Sequence, residues 1–438
     1  MIEIIFLIAI VVFLTTHYLY SRSIPLLVFI TSPWFVFSCF FYFIHVLMPF
    51  LQWRSNYFRY QKSYEISNYG MSMVYALIAY ILVFIVLYAS KYRSKLKEFT
   101  YTEKVQSITY SSTFIKKLFF CGIGIYLIGL LFAAKNLFHI FSIGQNEYLI
   151  DRINFGRSRG IEILLSHWLY ISCILFSFIW LVAKGIDKVL KRKILFMVFV
   201  SFCSVLVYYG INSNRNSILI LLVSVVFIFF SYTKLKSNTL FLGKIIGIFF
   251  VFGLLFFQLG KKRRQAMMKN DKASYTLIEE FNNAFGNHEN FVWLLENKEK
   301  SELYFGKTYI AGITNFIPRK MWKDKPLGAG PLLRNTIKPG AYIVGKPKNN
   351  SLTTGLLTEL HMNFGIYGLL LGSLLYGMLL KNIGLLLINT SSLASLFIIH
   401  FSLIIFSSIF IYSEFLGFLS RYVITILPLL IIKFTLKK

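Results

Sequence analysis

Apolar runs of about 18 residues or more recur along the whole chain, and each is long enough as a helix to cross a hydrocarbon layer ~30 Å thick. Inside lipid every backbone N–H and C=O must find a partner within the protein, which restricts such runs to helices. Counted this way, the 438 residues hold about eleven spans, near 2–20, 24–50, 70–90, 117–134, 162–183, 194–210, 216–232, 240–259, 354–380, 391–412 and 415–433. The fold class expected is an all-α polytopic membrane protein. Composition agrees, since charged residues make up 15% of the chain against roughly 25% in a soluble domain. The first run, "MIEIIFLIAIVVFLTTHYLY", lacks a basic leader and a small-residue cleavage site and reads as a retained span. Pro33 lies inside the second, which is long enough to be tilted or kinked.

The formal net charge is +28. Basic residues cluster between apolar runs, with no helix-turn-helix, zinc or RNA-binding signature, so membrane lipid rather than nucleic acid explains them. Short, densely basic connections such as "KYRSKLKEF" and "KGIDKVLKRK" belong in the cytoplasm by the positive-inside rule. The amino terminus is then expected outside and the carboxyl terminus inside. Cys39, Cys121, Cys173 and Cys203 fall in or beside apolar runs without metal or disulfide spacing.

Hydropathy divides the chain into a transmembrane bundle over 1–259, a long extracytoplasmic loop over 260–353 and a second bundle over 354–438. A loop of that length points to a task. Within it, Leu277, Phe281, Phe285, Val292 and Leu295 recur at helical spacing, whereas "NFIPRKMWKDKPLGAGPLLRNTIKPG" is dense in Pro and Gly and is expected to be irregular. No internal repeat is evident, which weakens a transporter reading.

Several arginines fall on the expected outer side. Arg157 lies in "DRINFGRSRG", Arg215 in "GINSNRNS", Arg264 in "GKKRRQ", Arg319 in "NFIPRKMW" and Arg334 just beyond. A guanidinium holds phosphate oxygens in a two-pronged grip at any physiological pH, so these side chains suit a lipid-linked pyrophosphate; each also reads as a headgroup contact.

"SLTTGLLTELHMNFGIYG" places Glu359 and His361 at the start of a span. A carboxylate at mid-bilayer depth costs about 2.5–3.5 kcal/mol even on lenient scales, so such residues usually face a polar cavity. Gly355, Glu359 and Asn363 are four apart and share a helical stripe, with His361 on a neighbouring face. Glu359 reads either as a cap or ion-pair member or as a proton acceptor, and His361 either as an interfacial histidine or as a catalytic one. Gly365, Gly368 and Gly372 form a strip suited to close helix packing. Glu414 and Arg421, seven apart on one face, could pair or line a cavity.

"GINSNRNSILILL", "FIPRKMWKDKP" and "TTGLLTELHMNFGIYG" together resemble the bacterial O-antigen and capsule repeat-unit polymerases of the Wzy type, relatives of the O-antigen ligases. The resemblance implies a GT-C-like, metal-independent glycosyltransferase with no cofactor in the bacterial cytoplasmic membrane, its active site facing the periplasm or cell exterior. It would polymerise repeat units carried on undecaprenyl pyrophosphate, working beside a flippase and a chain-length regulator. It places Arg215, Arg319 and Arg157 at the pyrophosphate and Glu359, with His361, at the acceptor hydroxyl. A ligase would look alike in loop and arginines. A flippase or exporter of lipid-linked sugar would instead spread its charges over both halves.

Overall fold

A computed structural model describes residues 1–150, 160–183, 185–233, 258, 277–344 and 351–435. Among them every regular element is helical. Ten helices are long and apolar enough to cross a membrane: α1 (Ile2–Ser21), α2 (Pro33–Ser55), α3 (Ile66–Tyr88), α4 (Ser112–Ile143), α5 (Gly160–Val182), α6 (Lys188–Ile211), α7 (Arg215–Tyr232), and, after four short helices, Leu356–Asn389, Leu393–Tyr412 and Phe415–Thr435. The short helices are α8 (Leu277–Phe285), α9 (His288–Glu296), α10 (Lys307–Ile313) and α11 (Ala329–Ile337). The last three long ones are therefore α12, α13 and α14. The chain is a multi-pass α-helical membrane protein. The eleventh expected span, 240–259, lies outside the described residues apart from Gln258.

The outward face of α1 carries Ile4, Leu7, Val11 and Leu14, each about 60% exposed. Their three-to-four spacing makes one continuous apolar stripe, the surface that lipid would solvate.

Contacts divide the chain into two units, each discontinuous in sequence. The first holds Met1–Phe99, Phe281–Asn389 and Ser402–Tyr422; the second holds Thr100–Glu280, Thr390–Phe401 and Val423–Lys438.

In the first unit, Pro33 starts a helix rather than kinking one. Ser32 accepts a hydrogen bond from the Phe35 N–H at 3.2 Å, and Pro33 occupies the first turn, where a missing N–H costs nothing. The interruption in α2 comes later, as a π turn over Phe43–Leu47 just before Pro49. The core joins Ile2, Val46, Tyr69 and Met73 to Val292, Leu294, Leu333 and Met362. Helices α9 and α11 are thus built into the same apolar core as α1–α3. The expectation of irregular chain over 315–340 is corrected for Ala329–Ile337, which is helical. Pro331 falls in its first turn, where proline is compatible with a helix.

In the second unit, α5 is the central element, with Leu169 to Ile179 buried without a break. A side chain at Gly129 would collide with the Leu169 backbone at 2.7 Å, so glycine sets the close approach of α4 to α5. His400 is buried between the Tyr232 hydroxyl (3.1 Å) and a stacked Tyr101 ring.

Candidate functional site

The polar centre of the first unit grows from a break in α12. Gly365 has φ +63° and ψ −150°, a conformation other residues hold only under strain. It divides the helix after Phe364 and strands the carbonyls of the first piece. The segment before α10 supplies their partners: Tyr304 N–H donates to the Met362 carbonyl at 3.0 Å and Phe305 N–H to the Asn363 carbonyl at 2.9 Å. Asn363 extends the clamp, accepting from Gly306 N–H at 3.0 Å and donating to the Thr308 hydroxyl oxygen at 2.7 Å.

The strip of small residues that follows serves this same fold-back. A side chain at Gly372 would meet Leu360 Cδ2 at 2.3 Å, and one at Gly368 would meet Phe364 Cβ at 2.4 Å. The closely packed neighbour is the helix's own first piece.

Glu359 is 2% exposed, and both its oxygens are engaged. The Thr308 hydroxyl donates to Oε1 at 2.7 Å, and the Phe415 N–H, opening α14, donates to Oε2 at 2.7 Å. The carboxylate therefore ties α10 and the start of α14 to α12. Gly355, one turn earlier, has φ +77° and lets the Ile411 carbonyl approach within 3.1 Å of where a Cβ would stand. His361 is half-buried, its ring set edge-on against Phe291 at 5.2 Å, and it has no hydrogen bond among the described residues. Glu359 and His361 do not touch.

Glu414 differs from Glu359. It is partly buried, and Oε2 accepts a single hydrogen bond, from the Gly330 N–H in the first turn of α11 at 2.6 Å. Its other oxygen has no hydrogen-bond partner among the described residues. Burial pushes this carboxyl up to about 7, with the Gly330 N–H pulling the other way. No ion pair joins Glu414 to Arg421 among the described residues.

Arg334, one turn further along α11, is half-buried. Its Nε is shielded from solvent without a hydrogen bond, and the guanidinium has no ion-pair partner among the described residues. Arg319 is committed to its own loop, donating to the Lys325 carbonyl at 2.8 Å and the Pro326 carbonyl at 3.4 Å. Lys325 is folded inward the same way, onto the Asn315 and Ile317 carbonyls, and burial together with the neighbouring Arg319 charge lowers its pKa. Arg215, in the second unit, pairs with the buried Glu280 at 3.1 Å. Arg157 and Arg264 lie outside the described residues.

Sequence reasoning missed one polar centre altogether. Glu289 is fully buried and accepts five hydrogen bonds: from Arg59 N–H (2.6 Å), Arg59 Nε (3.0 Å), Tyr60 N–H (3.1 Å), Tyr64 hydroxyl (3.1 Å) and Gln52 Nε2 (3.1 Å). Burial opposes the Arg59 charge, but Tyr60 and Glu289 outweigh it and hold its pKa above the ordinary value. Beside it, His288 Nδ1 meets His45 Nδ1 at 3.1 Å and Nε2 meets the Ser72 hydroxyl at 2.9 Å, with burial lowering the His288 pKa to about 3. The only local hint is the density of polar residues in "GNHEN" at 286–290; the donors come from residues more than 220 positions away.

Among the described residues of the first unit, the partly buried Glu414 keeps an open oxygen, and the helix whose first turn it bonds carries Arg334, a guanidinium without a protein partner; Arg421, on α14, is likewise unpaired. Comparison with protein-family models, with curated proteins and with solved structures finds no match to this chain.

Proposed function

We propose that the chain is a membrane-embedded glycosyltransferase that polymerises undecaprenyl-pyrophosphate-linked oligosaccharide repeat units at the outer face of the bacterial cytoplasmic membrane. The reading rests on the resemblance carried by residues 211–220 and 312–368. The structural observation that supports it best is the uncommitted guanidinium of Arg334. A half-buried cation without a protein partner suits an anionic ligand, and a pyrophosphate offers oxygens at guanidinium spacing. Arg319 and Arg215 already hold protein partners, so Arg334 takes the leading role at the pyrophosphate.

The chemistry needs two contributions from the protein. As the acceptor hydroxyl oxygen bonds to the donor's anomeric carbon, the bond from that carbon to the pyrophosphate oxygen breaks. The hydroxyl proton goes to a carboxylate, and the negative charge gathering on the pyrophosphate is held by a cation. Glu414 fits the first part better than Glu359: it has an oxygen free to accept, and a carboxyl near pH 7 is matched to proton transfer. Glu359 then acts by fixing the Glu414–Phe415 junction, and His361, packed against Phe291, takes no bonded role.

The test uses a deletion strain complemented with the intact protein, Glu414→Gln or Arg334→Ala at equal membrane levels, with surface glycan read on a gel. Loss of the ladder, leaving a single repeat unit on the acceptor lipid, is expected from both variants; removing a positioned base typically costs about 100- to 10,000-fold in rate. A ladder on the lipid carrier that never reaches its final acceptor would identify a ligase instead. Normal ladders from both variants would end the assignment of this corner.

A further inference from the structure

A second polar feature lies in the other unit, where α5 is interrupted at Ser166–His167 and α6 turns into α7 over Asn212–Asn214. The interruption leaves a cavity of about 60 Å³ bordered by Tyr148, Ile163, His167, Tyr209, Asn212 and Asn214. His167 is held in place, its Nδ1 2.8 Å from the Tyr209 hydroxyl. Asn212 is different. It is 4% exposed, yet its carboxamide makes no hydrogen bond to any described residue. The next residue, Ser213, has φ +49° and a buried hydroxyl that also lacks a partner. Buried polar groups are normally bonded, and the Asn212 carboxamide, which borders the cavity, is left for a ligand to bond.

We propose that this cavity receives the acetamido group of an N-acetylated amino sugar in the glycan, an inference that rests on the glycosyltransferase reading above. Size is the first argument. A water needs about 10–15 Å³ of such space, so the cavity admits a handful of heavy atoms and excludes a pyranose ring. Chemistry is the second. The Asn212 carboxamide offers one acceptor and two donors, which an acetamido group matches reciprocally with its N–H and C=O. The wall is the third. Ile163 and the tyrosine rings give the methyl an apolar seat, while a hydroxymethyl group would leave that seat empty. Among the described residues that border the cavity none is Lys, Arg, Asp or Glu. Ile163 and Asn214 are half-exposed, and a sugar substituent enters at their edge.

The full chain in nanodiscs is titrated with N-acetylglucosamine, N-acetylgalactosamine, glucose and galactose, using saturation-transfer NMR. The acetyl methyl is expected to take the strongest saturation, and the parent hexoses neither bind comparably nor compete. Asn212→Leu should weaken binding about tenfold, the loss of a buried hydrogen-bonded pair. Ile163→Trp, which fills the cavity from the opposite wall, should do the same. Size-exclusion profiles and melting curves check that both variants fold. Equal binding of hexose and N-acetylhexosamine, or unchanged affinity in both folded variants, overturns the proposal. Acetyl binding that survives alongside normal ladders from the Glu414 and Arg334 variants would keep the subsite and remove the transferase reading.

Discussion

Glu289 and Glu414 are both carboxylates of the first unit, and they are treated in opposite ways. Glu289 has no exposure and five donors, one of them a guanidinium; Glu414 is partly buried with one donor. Saturating a buried carboxylate offsets the cost of removing it from water, but it also leaves no lone pair for a substrate. A carboxylate that keeps an open oxygen and a raised pKa is a poor structural element and a usable base. Bonding state separates the two, and Glu359, with one donor on each oxygen, lies between them.

The contrast can be broken most severely at its closed end. Arg59→Leu leaves Glu289 buried without its counter-charge, which should cost about 3–5 kcal/mol, read as a large fall in melting temperature and membrane level. Gly365→Ala forces an L-residue into a glycine conformation and should cost about 2–3 kcal/mol by the same assay. Thr308→Val removes one donor from Glu359 and an acceptor from Asn363, for a loss of about 1–3 kcal/mol. If Glu359 were the base instead, that variant would abolish the ladder at unchanged stability.

Protonation sharpens the comparison from both sides. His288, lowered from 6.5 to about 3, refuses a proton that the unfolded chain takes up, so stability is lost as pH falls through 6.5 toward 3. Glu414, raised from 4.5 to about 7, keeps a proton that the unfolded chain releases, so stability declines as pH rises from 4.5 to 7. Melting curves against pH should show both slopes. Glu414→Gln, which mimics the neutral carboxyl, should flatten the upper slope and melt above the wild type at pH 8. The smallest effect belongs to Arg319→Gln, which trades two exposed-edge carbonyl contacts and should cost about 1 kcal/mol without shortening the glycan.

The spans were readable because a hydrophobic helix announces itself in composition over some twenty residues. Ten of the eleven expected appear, and the other lies outside the described residues. What hydropathy cannot register is a backbone angle. The break at Gly365 falls within a run that reads as uninterrupted, and Pro33, which reads as the site of a kink or tilt, instead starts a helix. The stripe of Gly355, Glu359 and Asn363 was legible from spacing, but its partners Thr308 and Phe415 lie about fifty residues away on either side. Arg319 and Arg334 are alike as residues in sequence and differ only in what the folded chain places beside them.

The interrupted α12 also bears on how this protein can be altered. Tyr304 and Phe305 donate the amides that complete the end of its first piece. The intervening segment is therefore part of the spanning architecture and not a removable insert. Exchanging residues 277–344 with a foreign loop would uncap a helix that the graft never touches. Chimeras that carry the graft together with 351–372 should reach the membrane intact where loop-only exchanges are degraded. In this protein the unit of inheritance is the loop with the broken helix it closes.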